Sequence, residues 1–148
     1  MAKAQSEVAI ASQPLTIRIL TSAALYFLFV FGVGFVLGPI RVFWLEPVIG
    51  PVAAALCEAP LLLAAMMFAA LRVPAKIGMP INTWSLIKMG LMALGILILA
   101  DVTVGTAIRG ISWGEQFAYL ATPAGLMYLG LLAAFAAMPA LLNTNTAA

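Results

Sequence analysis

Four stretches of this chain are each long and apolar enough to cross the hydrocarbon core of a bilayer as a helix. They run from about Ile19 to Ile40, Val48 to Leu71, Trp84 to Ile108 and Gln116 to Leu142. A core about 30 Å thick needs roughly 20 apolar residues at helical rise. Lipid offers no partner for an open backbone N–H or C=O, so such stretches must be helices. Charge agrees with this reading: the 148 residues carry 7 Lys or Arg and 5 Asp or Glu, and 65% are hydrophobic. A soluble domain has about a quarter of its residues charged, so neither a water-soluble globule nor a disordered chain fits. The expected fold class is an all-α membrane protein, an antiparallel four-helix transmembrane bundle with short loops.

The span boundaries carry local signals. Pro47 and Pro51 suit a helix start, where a missing N–H costs little. Asn82 or Thr83 can cap the third span, and Arg72-Val73-Pro74 ends the second. Ser112-Trp113-Gly114-Glu115 has the form of a capping box, which makes Glu115 a cap rather than a catalyst. Trp44, Trp84 and Trp113 all fall at span ends, as an interfacial aromatic belt requires. The layout is then a polar N-terminal tail (1–18), a transmembrane domain (19–142) and a polar C-terminal tail (143–148). The first apolar stretch is too long for a signal-peptide core and is read as a retained span.

Orientation follows from the basic residues. Lys3, Arg18, Arg72, Lys76 and Lys88 lie in or near the N-terminal tail and the middle loop, whereas the other two loops hold Arg41 and Arg109. The excess places both termini and the middle loop of a multi-pass protein in the cytoplasm.

Much chemistry is excluded by what is missing. The chain has no histidine and a single cysteine, Cys57. Imidazole ligation, a His-based proton shuttle, a disulfide and a thiolate cluster are thereby removed. No phosphate-binding loop, nucleophile elbow or zinc-protease motif is present, and the scattered basic residues form no nucleic-acid patch. No cofactor and no metal are expected, and the natural partners are the lipid bilayer, other membrane subunits or a second copy.

The charges that remain within the spans are the candidate site. Arg41 ends the first span on one face with Gly34 and Gly38, whose spacing lets another helix approach. Glu58 lies about 15 Å into the second span, near Ala54 and Ala55, with Pro60 two positions later. Asp101 lies about 10 Å before the end of the third span, and Arg109 terminates it. In one reading Arg41–Glu58 and Asp101–Arg109, or the crossed pairs, are ion pairs that fix helix register. In the other, Glu58 binds a proton or a cation after desolvation. Gly34, Gly38, Ala54 and Ala55 are the expected helix-packing positions.

Two further patterns stand out. Ile40-Arg41-Val42-Phe43-Trp44-Leu45-Glu46 echoes Ile108-Arg109-Gly110-Ile111-Ser112-Trp113-Gly114-Glu115, as duplication of a two-helix unit would produce. Phe31-Gly32-Val33-Gly34-Phe35-Val36-Leu37-Gly38-Pro39-Ile40-Arg41, Leu45-Glu46-Pro47 and Cys57-Glu58-Ala59-Pro60 together resemble an uncharacterised family of small four-span bacterial inner-membrane proteins. In that family a Gly-rich first helix ends in Arg and a Glu followed by Pro sits in the second. Pro39 departs from the pattern. The resemblance implies a location and a fold, points to Arg41 and Glu58, and transfers no activity.

The functional expectation is a non-enzymatic scaffold or accessory subunit of a larger membrane complex. The alternative is a small transporter, or a proton- or cation-coupled site, centred on Glu58. A lipid- or quinone-modifying enzyme would have only Glu58, Asp101, Cys57 and the tyrosines to work with.

Overall fold

A computed structural model describes residues 13–144, and within them every regular element is helical. Most of the expected N-terminal tail and residues 145–148 lie outside the described residues. Helix α1 (Leu15–Ile40) starts directly after Pro14, so Leu15–Arg18 belong to the first helix and not to a tail. It also fails to end at Ile40. A five-residue π-helical turn, Arg41–Leu45, carries it into a short helix α2 (Glu46–Ile49). This turn lies between Pro39 and Pro47, two positions that cannot donate to the helical ladder, and Glu46 N–H bonds the carbonyl of Arg41. Reversal is left to Gly50, whose φ of 82° suits glycine.

Helix α3 (Pro51–Ile77) runs through Pro60 and Pro74, a turn beyond the expected end at Arg72–Pro74. It stops at Gly78, φ 66°, where Met79 N–H bonds Pro74 O at 2.9 Å. Such a left-handed glycine is the common helix terminator, whereas Pro74 removes one bond that a neighbour replaces. Helix α4 (Thr83–Thr103) is capped by Asn82, which accepts from Ser85 N–H at 2.9 Å. A second π-helical turn, Val104–Ile108, extends it.

The expected fourth span is two helices. Helix α5 (Trp113–Leu120) opens with the capping box of Ser112 and Glu115, and helix α6 (Pro123–Thr144) follows a break at Ala121–Thr122. Pro123 has no N–H to continue the ladder. Thr122 Oγ1 donates to Tyr119 O at 2.7 Å and accepts from Gly125 N–H at 3.1 Å, closing both helix ends. Trp113 and Phe117 of α5 are exposed, as suits a short helix at a membrane interface.

Helix α1 packs against α3 and α4, and α6 packs against the same two from the opposite side. Tyr26, Val30, Met66, Met89 and Phe135 meet at the centre. Contact between α4 and α6 is backbone-close at Gly90, where a Cβ would lie 2.0 Å from Ala136 O. Outside, Leu28, Leu91 and Leu99 are 59, 58 and 70% exposed. A soluble monomer rarely presents so much contiguous apolar surface. Four helices, Leu15–Ile49, Pro51–Ile77, Thr83–Ile108 and Pro123–Asn143, are long and apolar enough to span a membrane, the signature of a multi-pass protein.

Candidate functional site: an amphiphilic cavity

The ends of the helices nearest Arg41 and Arg109 enclose a partly open cavity of about 510 Å³. All four long helices contribute to it, together with both π-helical turns and α5. Single-turn π segments recur at functional sites because they re-aim side chains that the α-ladder would hold fixed. The deep walls are Val30, Leu62, Met66, Leu97, Leu131 and Phe135, which offer no hydrogen-bonding side chain. The outer part holds Arg41, Glu58, Asp101, Arg109, Tyr119 and Tyr128. All four ionisable residues singled out from the sequence therefore line one space.

Their pairing is uneven. Arg41 Nε lies 3.0 Å from Glu58 Oε2 in an ion pair whose N–H is not aligned for a hydrogen bond. Arg41 Nη1 also approaches Glu46 Oε1 at 3.7 Å, because the π-helical turn brings residues five apart onto one side. Asp101 pairs with neither arginine. Its Oδ2 accepts the hydroxyl of Tyr128 on α6 at 2.7 Å. Among the described residues, no carboxylate lies within 4.0 Å of Arg109. The expected Asp101–Arg109 pair fails on geometry: eight residues of helix separate their backbones by about 12 Å. The crossed pairs are not formed either.

The small residues also divide. Ala54 and Ala55 are buried between helices. Gly34 and Gly38, expected to admit another helix, instead line the cavity. A Cβ at Gly38 would meet nothing within 4 Å, and one at Gly34 would only touch Leu62 at 3.6 Å. The close backbone approach belongs to Gly90 and to Gly125, whose Cβ would lie 2.0 Å from Tyr119 O. The Arg-Trp echo does not extend to local geometry: the π-helical turn begins at Arg41 in one copy and ends before Arg109 in the other.

Toward the chain termini the cavity stops. Tyr26 is fully buried and stacks on Phe135 with ring centroids 4.5 Å apart. Its hydroxyl is occupied by Phe135 O at 2.9 Å. Beyond it, the buried Ser22 hydroxyl meets no partner among the described residues. Cys57 is exposed outside the cavity lining. Among the described residues, no three of His, Cys, Asp and Glu cluster closely enough to hold a metal.

The partner of Asp101 that the sequence does not reveal is Tyr128. A carboxylate accepts only, so Asp101 in an apolar span calls for a donor, and Tyr128 supplies it from another helix. Family models, curated proteins and solved structures contain no match to this chain.

Proposed function

We propose that this chain is a non-enzymatic accessory protein of the bacterial inner membrane that holds a lipid-like amphiphile between its helices. The cavity carries the proposal: it has polar groups at one end, purely apolar walls at the other, and a size within the roughly 300–1,000 Å³ of ligand pockets. From Val30 to Arg41 the cavity-lining side of α1 rises about 16 Å. That is close to half of a hydrocarbon core about 30 Å thick, the reach of a tail within one leaflet. The excess of Lys and Arg near the other end of the helices favours cytoplasmic termini, which puts the cavity in the outer leaflet. Lipid surroundings, further membrane subunits or a second copy remain the partners of such a protein.

Native mass spectrometry on full-length protein, taken from its membrane in mild detergent, tests this reading. One amphiphile per chain is expected on the wild type, and Gly38→Leu, which fills open space in the cavity wall, should lose it. Equal adducts on both proteins, or none on the wild type, would sink the proposal.

A second reading makes Glu58 a transport site, favoured by its place in the cavity wall at 12% side-chain exposure. Glu58→Gln separates the two: lost flux in proteoliposomes with normal assembly supports transport. Against it stand the ion pair with Arg41 and the closed Tyr26–Phe135 floor.

A further inference from the structure

The cavity presents its polar groups in a fixed order of depth, and that order restricts what the occupant can be. Deepest are the apolar walls around Leu97 and Leu131. Next come Asp101 and Tyr128, on facing positions of α4 and α6. The backbone of Arg109 lies about 12 Å farther out along the helix axis, where α4 and its π-helical turn end.

Each level asks for a different group. The carboxylate of Asp101 can only accept, and Tyr128 serves one of its oxygens. A neutral O–H or N–H from the occupant can serve the other without bringing a second charge into the cavity. Arg109 is different, because a guanidinium keeps its charge at any accessible pH. Arg41 already faces Glu58 and Glu46, whereas Arg109 meets no carboxylate among the described residues. Arg109 is exposed at the cavity mouth and is the cation there with no carboxylate beside it among the described residues, and its planar fork matches phosphate or carboxylate.

Resting on the amphiphile reading above, we infer that the occupant is an anionic, single-chain lipid with a donor between its tail and its terminal anion. The tail lies against the walls from Val30 to Phe135, the donor (a hydroxyl or an amide N–H) meets Asp101, and the anion meets Arg109. A lysophosphatidate has this order of groups. A phosphoethanolamine head, with its ammonium outermost, would set a cation beside Arg109.

The test uses full-length protein in phosphatidylcholine nanodiscs and four probes. These are 1-oleoyl-lysophosphatidate, monooleoylglycerol (the same tail and hydroxyls without the anion), glycerol 3-phosphate (the head without the tail) and oleylamine. Wild type should bind lysophosphatidate about tenfold more tightly than monooleoylglycerol, the worth of one charge-assisted contact. Arg109→Gln should erase that ratio and leave monooleoylglycerol binding unchanged, while Arg109→Lys should restore part of it. Asp101→Ala should weaken both glycerol lipids severalfold, and glycerol 3-phosphate should not compete.

A wild-type protein that binds the two glycerol lipids equally overturns the anion assignment but leaves an amphiphile site. Preference for oleylamine, or a ratio unchanged in Arg109→Gln, does the same. Saturation by glycerol 3-phosphate alone would mean a site for free anions rather than lipid. If no tailed probe binds, and Gly38→Leu behaves as wild type toward all of them, the amphiphile reading itself falls. Thermal melting of each variant in the nanodisc separates lost binding from lost folding.

Discussion

Tyr26 donates its hydroxyl to the carbonyl of Phe135 at 2.9 Å, and that carbonyl is the one left without a helical donor by Pro139. Asn143 repeats the arrangement on α3, giving an N–H at 3.4 Å to Ala70 O, the acceptor that Pro74 vacates. In lipid no water can serve these carbonyls. Pro74 of α3 and Pro139 of α6 are thus tolerated because other helices bring donors to the carbonyls they vacate.

Tyr26→Phe should therefore destabilise the protein by about 1–2 kcal/mol, a lost hydrogen bond with one acceptor stranded. Pro139→Ala returns an N–H to Phe135 O, so Tyr26→Phe should cost much less on that background. A double-mutant cycle of unfolding in mixed micelles reads the coupling. Additive costs would mean that the hydroxyl serves only packing.

Arg41 and Glu58 should behave as a unit. Arg41→Gln leaves Glu58 in the cavity wall without its cation, whereas Glu58→Gln leaves Arg41 with Glu46 at 3.7 Å. Fully buried pairs lose about 3–5 kcal/mol in this way. With 23 and 12% side-chain exposure, a loss on the order of 2 kcal/mol is expected for Arg41→Gln and a smaller one for Glu58→Gln. The double variant should lose less than the sum of the two, measured by the same unfolding cycle.

Two helical glycines should respond in opposite ways. Gly90→Ala places a methyl 2.0 Å from Ala136 O, so α4 and α6 must part, at a cost of about 3 kcal/mol or more. Gly38→Ala meets open space and should be neutral or slightly stabilising, since alanine suits a helix better by up to about 1 kcal/mol. Midpoint shifts on thermal melting in nanodiscs check both.

The capping box should fail in acid. Ser112, through its hydroxyl at 2.7 Å and its N–H at 2.8 Å, holds the fully exposed Glu115 carboxyl below its ordinary value. Because the folded value is the lower one, the contribution is complete above the unfolded value, about 4.3. It is lost as pH falls through the depressed folded value. Amide exchange at the start of α5, compared with Glu115→Gln to remove the intrinsic pH effect, should show faster opening below that range in wild type only.

Much of the architecture is legible in the one-dimensional pattern because lipid leaves few options. Apolar stretches of span length must be helices, and a Ser-x-x-Glu motif at Ser112 forms the cap that its spacing describes. Local signals read less well where two of them compete. Pro74 suggested a helix end, but Gly78 supplies the left-handed stop and Asn143 the missing donor. Pro123 and Thr122 break the fourth apolar stretch, whose composition alone is continuous. Gly34 and Gly38 have packing spacing, yet nothing in spacing says whether a helix or an empty space lies opposite.

The sequence by itself determined that this chain suits a membrane, how often its helices are long enough to cross it, and which few charged groups fall within or at the ends of its apolar stretches. Those outcomes rest on the cost of bare polar groups in hydrocarbon, which each stretch meets alone. Only the tertiary structure decided that Arg41 pairs with Glu58, that Asp101 turns to Tyr128, and that Arg109 is left facing a cavity. Partner choice depends on the rotation and depth of one helix against another, set by contacts such as Gly90 on Ala136 that no single helix contains.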